Sequence, residues 1–239
     1  FVRTGRGLSP SLRARELRPI IGEALDKCRQ SLSLARPGAA GFAGRSVTLG
    51  LSDDFEIALG REAIAALAVA APGLRLIFGL TAPALRRVTV GQGGYACLVD
   101  PASLAPGAQA LSLEEFIRRP HVLVSSGGFI GAVDEVLHGQ GLTRRVLAAT
   151  THFSALAFLL RGGDALATLP THAARGLAAV AGLRLLPCPV AMPGYAIEMG
   201  WRADALRDEA VAVARRGLLV LLQGYDWSGA EAPVAGGRR

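Results

Sequence analysis

The stretch "SVTLGLSDDFEIALGREAIAALAVAAPGLRLIF", residues 46–78, decides the fold. "SVTLGLS" (46–52) is apolar and β-branched and predicts a strand. Two carboxylates, Asp53 and Asp54, then stand where a helix begins, a place favoured by the macrodipole and the orphan N–H groups. The helix carries an apolar face at Phe55, Leu59, Ile64, Leu67 and Ala71 and stops at Pro72-Gly73. "LRLIF" (74–78) is a second strand. Strand, helix and strand on short connections make a βαβ unit, and with it a parallel sheet.

Downstream the alternation continues. "RRVTVGQGGYACLVD" reads as two strands around a Gly turn, and "SLEEFIRRP" as a short helix with a capping box from Ser112 to Glu115. "HVLVS", "RRVLAATT", "ALATLP", "LRLLPCPV" and "YAIEMGW" read as strands. "GGFIGAVDEVLHGQGL", "HFSALAFLLRGG", "THAARGLAAVAG" and "DALRDEAVAVARRGLLVLLQGY" read as helices, so the fold class is α/β. The last dozen residues have the composition of a frayed tail.

Upstream the chemistry changes. Residues 1–45 carry nine basic side chains, eight Arg and Lys27, against Glu16, Glu23 and Asp26. That segment holds nearly all of the net charge of +7, which places it near a polyanion, with nucleic acid the usual partner. Ser11 can cap a helix whose apolar residues, Leu17, Ile21, Leu25, Cys28 and Leu32, form one stripe. Its other face is charged, and "ARPGAAGFAG" (35–44) breaks the pattern as a linker. A helix outside the main body buries such a stripe by pairing with a second copy.

At 239 residues, 51% hydrophobic and 19% charged, the chain is globular with an ample core. Cys28, Cys97 and Cys188 are distant from one another and lack metal-ligand spacing, which fits a reduced, cytoplasmic setting. The longest apolar run near the C-terminus, "LLVLL" (218–222), is far too short to span a membrane. Nucleophile-elbow, zincin and P-loop motifs are missing, and His121, His138, His152 and His172 fall in four separate elements. No catalytic residue, metal or cofactor is expected. "GLSDDF", "VSSGGF", "ATTHFS" and "TLPTHA" instead each end a strand in small hydroxyl residues and start a helix. Four such mouths suit a small polar or anionic ligand at the carboxyl ends of the strands.

This order of elements resembles the LysR-type transcriptional regulators, and "SDDFE" and "PHVLVS" are closest to the branch with the nodulation regulators. "DALATLPTHAA" and "GLRLLPCPV" add to the resemblance, which spans nearly all of residues 1–225. It implies a two-lobed, type 2 periplasmic-binding-protein-like effector domain behind a dimerisation helix. The implied divisions are a wing remnant (1–10), the helix (11–34), a hinge linker (35–45), a first lobe (46–99 and 184–225), a second lobe (100–183) and a tail (226–239). The implied partners are DNA, a small-molecule effector and further copies in a homodimer or homotetramer, with no membrane. Effector residues would be Ser52, Asp53, Asp54 and Thr81 from the first lobe. Ser125, Ser126, Gly127, Thr151, Phe153, Thr168 and Pro170 would face them from the second.

Two departures from the family pattern stand out. Of the winged helix-turn-helix only the end is matched, where Arg3 and Arg6 would meet DNA phosphates. After the second strand, "FGLTAPALRRV" is too short to hold the family's next helix and strand, so the first lobe is expected to lack one sheet strand. A solute-binding protein of the same fold, or a degenerate fragment that binds nothing, are the alternative readings.

Overall fold

The computed structural model describes residues 2–4, 7–34, 41–79, 86–125 and 128–227. It opens with a hairpin of β1 (Val2–Thr4) and β2 (Gly7–Ser9), antiparallel with Arg3 opposite Leu8. Helix α1 (Leu12–Leu34) follows, and the Ser11 hydroxyl accepts the Ala14 N–H at 3.2 Å as its cap. Leu17, Ile21 and Leu25 are about half exposed, so no described residue covers this part of the apolar stripe.

The first lobe is assembled from β3 (Ser46–Gly50), α2 (Asp53–Ala70), β4 (Arg75–Gly79), β5 (Arg86–Gly93), β11 (Tyr195–Trp201) and α7 (Glu209–Gly224). β3 and β4 pair in parallel, as the βαβ reading requires. α2 buries Leu59, Ala63 and Leu67, while Ile64, expected on that face, is 53% exposed. Ala210, Ala214 and Leu218 of α7 close over Val47 and Leu67. Among the described residues β5 pairs only with β11, antiparallel. Among the described residues the first lobe therefore holds two separate two-stranded sheets with no strand bridging them. The sequence reading expects one strand fewer here, from the short "FGLTAPALRRV" segment, of which residues 80–85 lie outside the described residues.

The second lobe contains one five-stranded sheet in the order β10-β6-β9-β7-β8. Its strands are β6 (Tyr95–Val99), β7 (Pro120–Val124), β8 (Arg145–Thr150), β9 (Leu166–Pro170) and β10 (Arg184–Pro187). One face packs on α5 (Leu156–Leu159) and α6 (Thr171–Ala181) through Leu98, Leu156, Leu169 and Leu177. The other packs on α3 (Leu113–Arg118) and α4 (Ala132–His138) through Val99, Phe116, Leu137 and Leu166.

The strand pairing corrects the lobe boundaries. Residues 95–99 and 184–187, expected in the first lobe, are β6 and β10 of the second lobe's sheet. The two strands of "RRVTVGQGGYACLVD" accordingly do not form a hairpin; β5 and β6 belong to different sheets, and Gly94 sits at the crossing.

Three helices are shorter than their patterns. α4 starts at Ala132, because Gly131 is its N-cap and Asp134 reaches back to the Gly131 N–H at 2.7 Å. The segment at 153–159 is a 3-10 turn followed by a single α-helical turn. The C-terminal helix is split at Asp208, whose carboxylate caps α7 on Ala210 and Val211 and also holds Arg45. The expected capping box of α3 is half formed. Ser112 accepts the Glu115 N–H at 3.1 Å, but the Glu115 carboxylate turns to Arg119 at 2.7 Å.

Candidate functional site

The carboxyl ends of β3, β7, β8 and β9 carry the four hydroxyl-rich mouths, and the structure joins them where the lobes meet. Asp53 and Asp54 lie in the first turn of α2, after the N-cap residue Ser52. Ser52 makes no side-chain capping bond; its hydroxyl donates to the Asp54 carboxylate instead. The second Asp54 oxygen lies 3.1 Å from Nε2 of His172, which follows β9 in the first turn of α6. The Asp53 carboxylate accepts the backbone N–H of Ser154 at 3.1 Å and its hydroxyl at 3.3 Å. Both acidic residues stand in the helix's first turn, as their sequence position implies, and in addition clasp the second lobe.

The clasp is deeply set. His172 is 1% exposed, stacks on Phe55 at 4.7 Å between ring centres, and meets Trp227 edge-on at 5.6 Å. Burial raises the Asp54 carboxyl, but the bonds from His172 and Ser52 and the Phe55 N–H outweigh it, and the group titrates below its usual range. α2 and α6 pack so closely that a Cβ at Gly176 would come within 2.7 Å of the Ile57 side chain and 3.1 Å of its carbonyl. Among the described residues, the His172 Nδ1 and the Tyr195 hydroxyl are buried without a hydrogen-bond partner. Tyr195 packs edge-on against Tyr95, and burial pushes its phenol well above the usual value.

The remaining expected effector residues divide. Ser125 and Thr151 follow the paired ends Val124 and Thr150 of β7 and β8, with the Ser125 N–H bonded to the Thr150 carbonyl at 2.8 Å. Thr151 is exposed and Pro170 half-buried. Phe153 packs onto the second lobe's core. The Thr168 hydroxyl lies 3.6 Å from the Cys97 sulfur, inside that lobe. Thr81, Ser126, Gly127 and Arg6 lie outside the described residues. Arg3 lies in β1. The partner that sequence reasoning missed is His172. Its only signal was a histidine at the start of a helix after a hydroxyl-rich strand end, and the Asp54 it meets is 118 residues away.

Two surface hollows, about 390 and 380 Å³, lie away from this junction. One is beside α4, lined by Asp134, His138 and Arg144; the other is between α2 and β4. Among the described residues no three His, Cys, Asp or Glu side chains are placed to hold a metal ion. No described helix is long and apolar enough to cross a membrane.

Two lobes joined by paired crossings, with polar strand ends meeting between them, define an effector-binding module. Residues 73–219 match the LysR substrate binding domain, and the chain belongs to that family. It is 28% identical over 238 residues to the HTH-type transcriptional activator NahR of Pseudomonas putida, covering 88% of this chain and 78% of that protein. Nodulation protein D 1 of Rhizobium leguminosarum bv. phaseoli is 26% identical, covering 85% and 72%. Among solved structures, the regulatory domain of MexT, a transcriptional activator in Pseudomonas aeruginosa, superposes with a TM-score of 0.64. It is 31% identical and covers 73% of this chain and 98% of that one. The chain is thus the effector-domain portion of a LysR-type transcriptional regulator, and its relatives are regulators of transcription, not enzymes.

Proposed function

We propose that this regulator senses a small polar or anionic molecule between its lobes and passes the response through α1 in a cytoplasmic dimer bound to DNA. The observation that carries the sensing part is the clasp: Asp53–Ser154 and Asp54–His172 join three of the four hydroxyl-rich strand ends across the lobes. A ligand entering beside Ser125 and Thr151 meets hydroxyl and backbone donors and competes with these contacts for position. The carboxylates Asp53 and Asp54 then act as interlobe gateposts, and the exposed Thr151 is the ligand contact. The half-exposed Leu17, Ile21 and Leu25 of α1 support pairing with a second copy, and the pairing of β1 with β2 supports delivery of Arg3 to DNA phosphates, a role that the sequence also gives Arg6.

A thermal-melting screen of small organic acids, amino acids and polyols tests the sensing reading. A hit at about 100 times its Kd should stabilise the protein by about 2.7 kcal/mol. Thr151→Val should erase that shift while leaving the melting of the free protein unchanged. A shift that survives both Thr151→Val and His172→Gln would place the ligand outside the interlobe junction.

A further inference from the structure

The sequence reading starts a tail at residue 226, yet Asp226 and Trp227 are seated against both lobes. α7 ends at Gly224, and the Tyr225 N–H closes its last turn on the Leu222 carbonyl at 3.4 Å. Tyr225 is extended, which turns the chain out of the helix. Trp227 is 4% exposed, and its indole N–H donates to the same Leu222 carbonyl at 2.9 Å. That carbonyl is one of the last four of α7, which have no partner further along the helix, so the helix end itself anchors the ring.

The ring lies on β5. A Cβ at Gly91 would run into it, with the Trp227 Nε1 only 2.6 Å away, so the contact needs the bare backbone of a glycine. The same ring meets Phe55 of α2 edge-on at 6.0 Å and His172 of α6 at 5.6 Å and 83°. Phe55 also stacks on His172, so two rings hold the histidine that bonds Asp54. Arg175 stands three residues after His172 and therefore on the same face of α6. It donates from Nη1 to the Asp226 carbonyl at 2.8 Å and from Nη2 to the Asp226 carboxylate at 2.9 Å. A planar guanidinium that makes two bonds to one residue fixes orientation as well as distance. The pair is 32% and 47% exposed, so it adds little to overall stability and acts as a latch.

We propose that residues 225–227 are a strap from α7 to α6 that positions His172 for Asp54, and so sets how firmly the lobes are clasped before any ligand arrives. The proposal rests on the clasp but needs no ligand. Phe55 fixes the His172 ring from its face, and Trp227 blocks its rotation from the side. With Trp227 withdrawn the ring is free to turn, and Asp54 loses its bond across the lobes. Asp53 shares the first turn of α2 with Asp54, so its hold on Ser154 loosens in the same movement. Trp227 and Arg175 are positioning residues: they touch the clasp, and a ligand that parts the lobes works against them.

The experiment is hydrogen exchange followed by NMR on the full chain with nothing added. The Trp227 indole N–H reports the strap, and the Ser154 amide, on an exposed residue and held by Asp53, reports the clasp. Both should be protected in the unsubstituted chain. Arg175→Gln should speed both about fivefold while the urea midpoint stays nearly unchanged, and Arg175→Lys should recover part of the protection. Gly91→Ala evicts the ring with residues 225–227 chemically intact, and should speed the Ser154 amide by about tenfold. An unprotected Trp227 indole in the unsubstituted chain overturns the strap, with no variant needed. A released indole beside an unchanged Ser154 amide overturns the positioning role. So does a rise in Arg175→Gln that the buried Leu98 amide of β6 shares equally, which marks a general loss of stability. A melting screen without hits would fail the sensing reading and leave these exchange rates as they are.

Discussion

The second lobe covers both faces of a continuous five-stranded sheet, with α5 and α6 on one side and α3 and α4 on the other. Among the described residues the first lobe holds its strands in two separate pairs and buries β3 and β4 mainly against α2 and α7. Exposed Ile77 in β4 marks the face left bare. Strands held in separate pairs cost a lobe twice, in ladder hydrogen bonds and in a covered face. The first lobe compensates by leaning on its neighbour: Asp53, Asp54 and Ile57 of α2 all contact the second lobe. Stability and interlobe coupling are thus the same set of contacts.

The sharpest way to break this comparison is a matched pair of core truncations. Phe116→Ala in the second lobe should cost about 4 kcal/mol, since a 0%-exposed ring leaves a cavity between a sheet and two helices. Leu67→Ala in the first lobe should cost roughly 2–3 kcal/mol, because a half-covered sheet can settle into the space. Urea unfolding reads both, and equal or reversed costs would show that the first lobe is as tightly determined as the second.

Acid separates the lobes next. His121 of β7 is fully buried; its Nε2 bonds the Phe116 carbonyl at 2.8 Å and its Nδ1 lies 3.1 Å from Arg144, which fixes a neutral ring donating from Nε2. Burial lowers it to about 4, helped by the Arg144 charge and resisted by the Phe116 carbonyl and Asp134. The unfolded chain then takes up the proton more readily than the native one. The His121 contribution is complete above about pH 6.5 and is lost as pH falls toward 4, to a total of about 3 kcal/mol. Asp54 and Asp134, both lowered, lose their contributions only further down, through and below the ordinary carboxylate range. Midpoints of urea unfolding at pH 7.5, 6 and 4.5 should trace the His121 loss, and His121→Gln should flatten it.

The smallest effect on the chain itself is expected outside both lobes. Ile21→Glu with Leu25→Glu, at positions 52% and 51% exposed, should leave the melting temperature nearly unchanged. Sedimentation should nonetheless show the mass falling from dimer to monomer. A monomeric unsubstituted chain at micromolar concentration would remove the role assigned to α1. With Arg3→Ala and Arg6→Ala, the slope of log affinity for duplex DNA against log salt should fall by about 2.

What the sequence alone determined is what short-range physics encodes. Alternating β-branched strands and amphipathic helices, Pro-Gly stops and Ser caps set the α/β class and the order of elements, and the order carried the family. Where local signals competed, boundaries drifted: the glycines before α4 read as helix until Gly131 and Asp134 were seen to cap it. Only the tertiary structure decided which sheet β6 and β10 join, because pairing across a long loop leaves no periodic trace in either strand. Likewise it alone brought Asp54 to His172, and Cys97 and Cys188 to one buried cluster. Those contacts are fixed by how two lobes and two crossings stack, and each residue read singly was an ordinary helix-start acid, a stray histidine or an isolated thiol.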